Sequence, residues 1–263
     1  MQQEVPKISV ITVCLNAGQV LRRTIESVLE QSYSNLEYII VDGGSTDNTK
    51  EIVESFTSRV NCFISEKDNG IYDAMNKGIK SASGRLVVFL NAGDYYISSN
   101  VLSYAVSKMR LNEADIFFAR FIWENISTQN IVLSDHSSTQ FDWDLKHSNF
   151  PHPATFYNRS LFSKIGLFDE SYKILADYEW NARALVKHRI AFQYIDIIIT
   201  FFSTDGVSND ARNNLQLEEE RNKIAAKYFN PSWLFVFMLQ YAHSNFSKKV
   251  IAKVFSKKLN GTW

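Results

Sequence analysis

Along the first hundred residues the apolar positions alternate between two periods. ISVITVCL (8–15) is a continuous β-rich run, as expected of a strand covered on both faces. Leu21, Ile25, Val28 and Leu29 then recur at helical spacing. LEYIIV (36–41) predicts a second buried strand, and Ile52, Val53 and Phe56 a second helix. CFIS (62–65) is a short third strand. Ile71, Ala74, Met75, Ile79 and Ala82 mark a third helix, and LVVFL (86–90) a fourth strand. Strand and helix alternating over short links predict right-handed crossovers and a parallel sheet.

Past residue 100 the pattern loosens. Val101 to Met109 reads as a helix, and DIFFARFIW (115–123) with NIVLS (130–134) as a hairpin or mixed-sheet strands. SDHSSTQFDWDLKHSNF (134–150) has no clear period and reads as a long loop. ADYEWNARALVKH (176–188) is helical, AFQYIDIIITFF (191–202) strand-rich, and 212–229 a charged helix. In the tail, WLFVFML (233–239) is too short to span a bilayer. Beyond it Phe246, Val250, Ile251, Val254 and Phe255 share one helical face, with Lys249, Lys253 and Lys257 on another. Two readings stand for 231–258: a basic amphipathic helix on an anionic membrane surface, or a helix packed on its own domain with a solvated lysine face.

Composition narrows the class. The chain has 263 residues, 45% of them apolar, with ten glycines and four prolines, and is therefore an ordered globular protein. Lys plus Arg and Asp plus Glu balance at 28 each, so nothing global advertises nucleic acid, and a polyanion site must be local. Cys14 and Cys62 lie inside apolar runs and read as free thiols, which suits a reducing cytoplasm. The N-terminal stretch lacks the basic start and apolar core of an export signal.

The candidate chemistry lies where the strands end. Strand one runs into Asn16-Ala17-Gly18, strand two into Asp42-Gly43-Gly44-Ser45-Thr46-Asp47, strand three into Glu66-Lys67-Asp68-Asn69-Gly70, and strand four into Asn91-Ala92-Gly93-Asp94. Parallel strands bring all four loops to one rim, where ligands collect in open α/β sheets. Each loop alone reads equally as a tight turn or a helix cap; the coincidence of four polar ends is what points to a site. No P-loop and no dinucleotide fingerprint is present. A carboxylate at Asp42 suits a nucleoside base or ribose. One at Asp94 suits a hard divalent cation bridging a diphosphate, with small residues at 92 and 93 letting phosphates approach the backbone.

ISVITVCLNAG, LEYIIVDGGSTDNT, EKDNGIYDAMNKGIKSASGRLVVFLNAGD and HPATFYNRSLFSKIGLFDESYKILADYEW together resemble the family-two glycosyltransferases over about residues 6–200. The resemblance implies a GT-A fold: a Rossmann-like, mostly parallel central sheet flanked by helices, here with a C-terminal helical extension. It divides the chain at 210, with a nucleotide half of about 1–100, an acceptor half of about 101–210 and the extension at 211–263. It implies an inverting transfer from a nucleotide-diphospho-sugar, a UDP-sugar by preference, to a hydroxyl, assisted by Mg²⁺ or Mn²⁺. By position Asp42 and Asp68 fall on the nucleotide side, and Asn16 and Asn91 complete the donor-side set. Asn91 and Gly93 replace the first and middle acids of the family's metal motif, leaving Asp94 as its carboxylate ligand. Asp177 matches the catalytic base, with Ala176 where an acid often precedes it and Glu179 as the alternative.

His152 and Trp180 are the expected acceptor-side residues, with Trp143 and Tyr178 as further sugar-stacking candidates; the alternative for each is an ordinary structural role. Lys77 and Arg85 are candidates to assist the departing diphosphate, against the reading of solvated surface residues. With the tail on a membrane, the acceptor becomes a glycan or polyprenyl-diphosphate-linked sugar at the cytoplasmic face of the cell membrane, as in bacterial surface-polysaccharide assembly. Two other readings are a sugar nucleotidyltransferase, whose glycine- and lysine-rich first loop CLNAGQVLRRT does not supply, and a sugar-nucleotide binding module without turnover.

Overall fold

The computed structural model describes residues 5–125, 128, 130–133, 149–204 and 211–229. The predicted alternation is realised as β1 (Ile8–Cys14), α1 (Leu21–Leu29), β2 (Leu36–Asp42), α2 (Thr49–Glu54), β3 (Cys62–Ser65), α3 (Ile71–Ser81) and β4 (Leu86–Phe89). After it come β5 (Tyr95–Tyr96), α4 (Val101–Lys108), β6 (Ile116–Asn125), β7 (Asn130–Leu133) and β8 (Thr155–Asn158). The chain then forms α5 (Ser160–Ile165), α6 (Ala176–Ala182), β9 (Phe192–Ser203) and α7 (Asn214–Tyr228).

The nine strands of the described residues share one sheet in the order β3-β2-β1-β4-β8-β6-β9-β5, with β7 pairing β6. The first four are parallel, as the sequence predicts. The second half is mixed: β8 runs antiparallel to β4 and β6, while β9 is parallel to β6 and antiparallel to β5. The parallel central sheet that the sequence predicts is therefore realised in β3-β2-β1-β4, and the acceptor half extends it with mixed pairings. β5 was not legible because it is only two residues long, and β8 because Thr155–Asn158, bounded by polar residues, lacks the unbroken apolar run that marks β4 at the same length.

Alternate residues of each strand enter opposite cores. Ile11, Val13, Ile39 and Val41 pack with α3, α5 and α6, whereas Ile8, Val10, Tyr38 and Ile40 pack with α1 and α4. Both faces are covered, so the strands read as unbroken apolar runs. α7 belongs to the first face: Ile224 and Tyr228 are buried there.

Register sets the site. Cys14 stands level with Asp42, and Asp42 with Ser65, so the loops after β1, β2 and β3 emerge at one height. β4 ends lower, opposite Ile11, but the chain continues beside β1, with Leu90 N–H donating to Ile11 and Ala92 N–H to Val13. The antiparallel β4–β8 register pairs Val88 with Phe156; carried on, it brings the turn at His152–Ala154 beside Asn91. Among the described residues no helix is long and apolar enough to cross a membrane.

Candidate active site

At the nucleotide end three loops lock together before any ligand is considered. Asp42 is buried, accepting hydrogen bonds from the Ser45 N–H at 3.1 Å and the Ser65 hydroxyl at 2.8 Å. Asn16, in the left-handed region at φ 49°, accepts from the Thr46 N–H at 2.9 Å and donates its own N–H to the Ser45 hydroxyl at 2.7 Å. Asp68 is half-buried and its carboxylate lies against Gly43, where an added Cβ would meet Asp68 Oδ2 at 2.2 Å. The glycine is required for that approach. Asn16, Asp42 and Asp68 thus line one rim, although much of Asp42's hydrogen-bonding capacity is spent on its own loop.

Asp94 follows Gly93, whose φ of 101° turns the chain sharply at the end of β4. Asp94 is 3% exposed. Burial pushes the Asp94 carboxyl up to about 7, against the opposing pull of His152 and of backbone N–H groups that include Ser203's. Ser203 N–H donates to Asp94 Oδ1 at 2.9 Å. That donor comes from the far end of β9, held in place by the β5–β9 pairing of Tyr95 with Phe201.

Asp177, second residue of α6, is also buried. Its Oδ1 accepts from the Tyr72 hydroxyl at 3.0 Å and the Tyr178 N–H at 2.8 Å, and its Oδ2 from Asn149 Nδ2 at 2.7 Å. Asn149 is oriented in turn by Asn181 Nδ2 at 2.8 Å. Burial, then the charge of Asp177, push the Tyr72 hydroxyl well above its usual range, so it acts as a donor.

His152 joins the two carboxylates. Its Nε2 lies 3.9 Å from Asp94 Oδ2 and its Nδ1 3.8 Å from Asp177 Oδ2. Asn91 Nδ2 sits 3.0 Å from the same Nε2, and Phe202 meets the ring edge-on. Asp94 and Asp177 therefore line one hollow.

Residues 9–166 match the sequence pattern of "Glycosyl transferase family 2", more than half of the chain. The chain belongs to glycosyl transferase family 2. This glycosyltransferase is 30% identical over 218 residues to a "PGL/p-HBAD biosynthesis glycosyltransferase" of Mycobacterium bovis, covering 78% of this chain and 80% of the relative. It is 32% identical over 211 residues to an uncharacterized glycosyltransferase of Mycobacterium tuberculosis, covering 78% of each. Its GT-A fold is shared with Staphylococcus aureus TarS 1-349 solved with UDP-GlcNAc, at TM-score 0.63 and 18% identity over 85% of this chain and 72% of that one. It is shared too with a Pyrobaculum calidifontis mannosyltransferase in complex with GDP-Man and Mn²⁺, at TM-score 0.65 and 16% identity over 97% of this chain and 81% of that one.

Several sequence-predicted residues of the glycosyltransferase sit elsewhere. Trp180 is fully buried, donates its indole N–H to the Gly166 carbonyl at 2.7 Å and packs on Phe162 and Tyr157, so it has no face for an acceptor sugar. Tyr178 is likewise buried, stacked on Phe229. Glu179, the alternative base, is consumed by Arg183 and by Lys227 and Tyr228 of α7. Lys77 pairs with Glu66 and Asp73, and Arg85 reaches the Leu111 carbonyl. Trp143 and the tail at 231–258 lie outside the described residues. Tyr72 and Asn149, which hold Asp177, are not legible in the sequence: Tyr72 sits in a run that reads as an ordinary amphipathic helix, and Asn149 lies near the end of an aperiodic stretch.

A divalent cation is testable against these side chains. Among the described residues no group of three or more His, Cys, Asp and Glu is arranged to hold a metal. Asp94 nonetheless offers a carboxylate, and beside it Asn91 Oδ1 is buried and accepts no hydrogen bond among the described residues. Two hard oxygens suit a cation that takes its remaining ligands from water and a diphosphate. The residues fit.

Proposed function

We propose that the chain is an inverting, metal-assisted glycosyltransferase that moves a hexosyl group from a UDP-sugar to a hydroxyl of a glycan or polyprenyl-diphosphate-linked acceptor, in bacterial surface-polysaccharide assembly. One observation carries the mechanism: the Asp94 and Asp177 carboxylates face the same imidazole, within 4 Å on either side. TarS with UDP-GlcNAc and the mannosyltransferase with GDP-Man and Mn²⁺ support a nucleotide-sugar donor and a cation, and the mycobacterial relative, named for PGL/p-HBAD biosynthesis, supports a biosynthetic glycosyl transfer.

Asn16, Asp42 and Asp68 receive the nucleoside at the rim formed by β1, β2 and β3. Asp94 and Asn91 would hold Mg²⁺ or Mn²⁺, which when bound neutralises the charge gathering on the departing diphosphate. Across the hollow the acceptor oxygen attacks the anomeric carbon, and Asp177 takes its proton. The bond from carbon to diphosphate oxygen breaks, and its electron pair leaves with the UDP. Tyr72 and Asn149 fix the Asp177 carboxylate while this happens. A single displacement inverts the anomeric centre and requires no covalent nucleophile. His152 lines the acceptor side between the two carboxylates. In this reading residues 1–100 serve the donor and 101–210 the acceptor, and the basic face at 231–258 rests on the cytoplasmic side of the membrane.

The test is a thermal-shift screen of UDP, GDP and CDP with and without Mn²⁺, followed by UDP release from the matching sugar donors. Asp177→Asn is expected to bind UDP normally and lose about 10²–10⁴-fold in turnover. Donor binding without turnover for any acceptor would favour a binding module instead.

A further inference from the structure

Helix α7 reaches the base through two buried carboxylates that no step above employs. Glu220 is 8% exposed, and it accepts three consecutive backbone N–H groups: Lys173 at 2.7 Å on Oε1, Ile174 at 3.0 Å and Leu175 at 2.9 Å on Oε2. Gln216, one turn earlier, steadies it at 3.2 Å. These three residues lead directly into α6, whose own Ncap Leu175 makes no side-chain capping bond. A carboxylate from another helix thus fixes the peptides that enter α6 and satisfies the N–H of its Ncap residue.

The consequence reaches Asp177 by a short route. The Ile174 carbonyl, in the peptide run Glu220 holds, accepts the Tyr72 hydroxyl at 2.6 Å, and the same hydroxyl lies 3.0 Å from Asp177 Oδ1. Tyr72 has one proton to share between the two. Where Ile174 stands therefore decides how firmly Tyr72 grips the base. A second clasp at the same interface, Glu179 with Lys227 at 3.1 Å and with the Tyr228 hydroxyl, keeps α7 from sliding along α6.

We propose that Glu220 is a positioning residue for Asp177, and that α7 belongs to the catalytic unit by holding the strand of backbone from which the base projects. The proposal rests on the reading of Asp177 as the base.

The experiment uses the full chain and Glu220→Gln, which keeps the size of the side chain but leaves one oxygen for three N–H groups. Amide exchange is measured over 172–180 and, as internal reference, over 36–46. UDP affinity with Mn²⁺ is measured by calorimetry, and turnover as UDP release from UDP-glucose, UDP-galactose and UDP-N-acetylglucosamine. Exchange at 173–180 should quicken at least ~10-fold with the reference unchanged, UDP affinity should stay within about twofold, and kcat should fall ~10–100-fold without a matching rise in donor KM. Unchanged exchange at 173–180, an equal rise across the whole chain, or loss of UDP binding in step with kcat would each overturn it. Exchange needs no substrate and decides alone if none of the three donors turns over. Glu220→Asp, which retains the charge on a shorter arm, is read the same way should the glutamine variant not fold. If Asp177→Asn keeps full turnover, the base assignment fails and takes this proposal with it; if Asp177→Asn is inactive while Glu220→Gln turns over normally, the positioning role alone fails.

Discussion

His152 Nδ1 stands 3.8 Å from Asp177 Oδ2, and the other ring nitrogen faces Asp94 at 3.9 Å. Residues 94 and 177 are thus brought to opposite sides of one ring. Neither contact is a tight ion pair, so the imidazole can adjust as substrates enter. His152→Ala should lower kcat/KM by about 10–100-fold through lost orientation of both carboxylates, with UDP binding largely kept. Steady-state kinetics beside UDP calorimetry check this, and a variant with normal kcat/KM would remove His152 from the site.

Asp94 carries a cost in the free protein. Its folded pKa, near 7, lies above the usual value of 3.8. The folded state therefore binds the proton more tightly than the unfolded one between those pH values. Stability contributed by the protonated carboxyl is complete below about pH 4 and declines as pH rises to 7 and beyond. In EDTA at pH 8, Asp94→Asn should raise stability by about 1–3 kcal/mol over the parent, and the difference should shrink toward pH 4. Urea melts across pH measure this; a variant less stable at pH 8 than the parent would refute the sign. The same substitution should abolish any extra stabilisation that Mn²⁺ adds to UDP.

Trp180 answers to packing. Truncation to Ala should cost about 3–5 kcal/mol, and Trp180→Phe considerably less, because a ring still fills the space among Phe162, Phe168 and Tyr157. Acceptor KM should not change in the folded Trp180→Phe enzyme. A raised acceptor KM there would restore the acceptor-side role expected from sequence.

Gly43→Ala probes the nucleotide rim. The added methyl would stand 2.2 Å from Asp68 Oδ2, so the Asp68 side chain must move away. UDP affinity should fall by about tenfold while the melting temperature changes little, since a half-buried side chain has room to yield. Unaltered UDP binding would take Asp68 out of the donor site.

The chain's own order was enough for the nucleotide half. Continuous apolar runs with helical spacing between them leave few arrangements other than parallel crossovers, and parallel strands must deliver Asn16, Asp42, Asp68 and Asn91 to one rim. These are local patterns, each carried by a few neighbouring residues, and they survive in the linear text.

Tertiary structure decided the rest. That His152 faces both Asp94 and Asp177 depends on the antiparallel β4–β8 register and on two strands, β5 and β8, that carry neither a period nor an apolar run. That Trp180 is core while Asp177, a turn nearer the start of the wholly buried α6, reaches the hollow depends on which end of that helix opens on the site, and an apolar position looks the same in sequence whether it faces a core or a sugar. Tyr72, Asn149 and Glu220 act on the base across 105, 28 and about 45 residues of chain. Contacts so far apart leave no periodicity, because burial and direction, not spacing, determine what a side chain can touch.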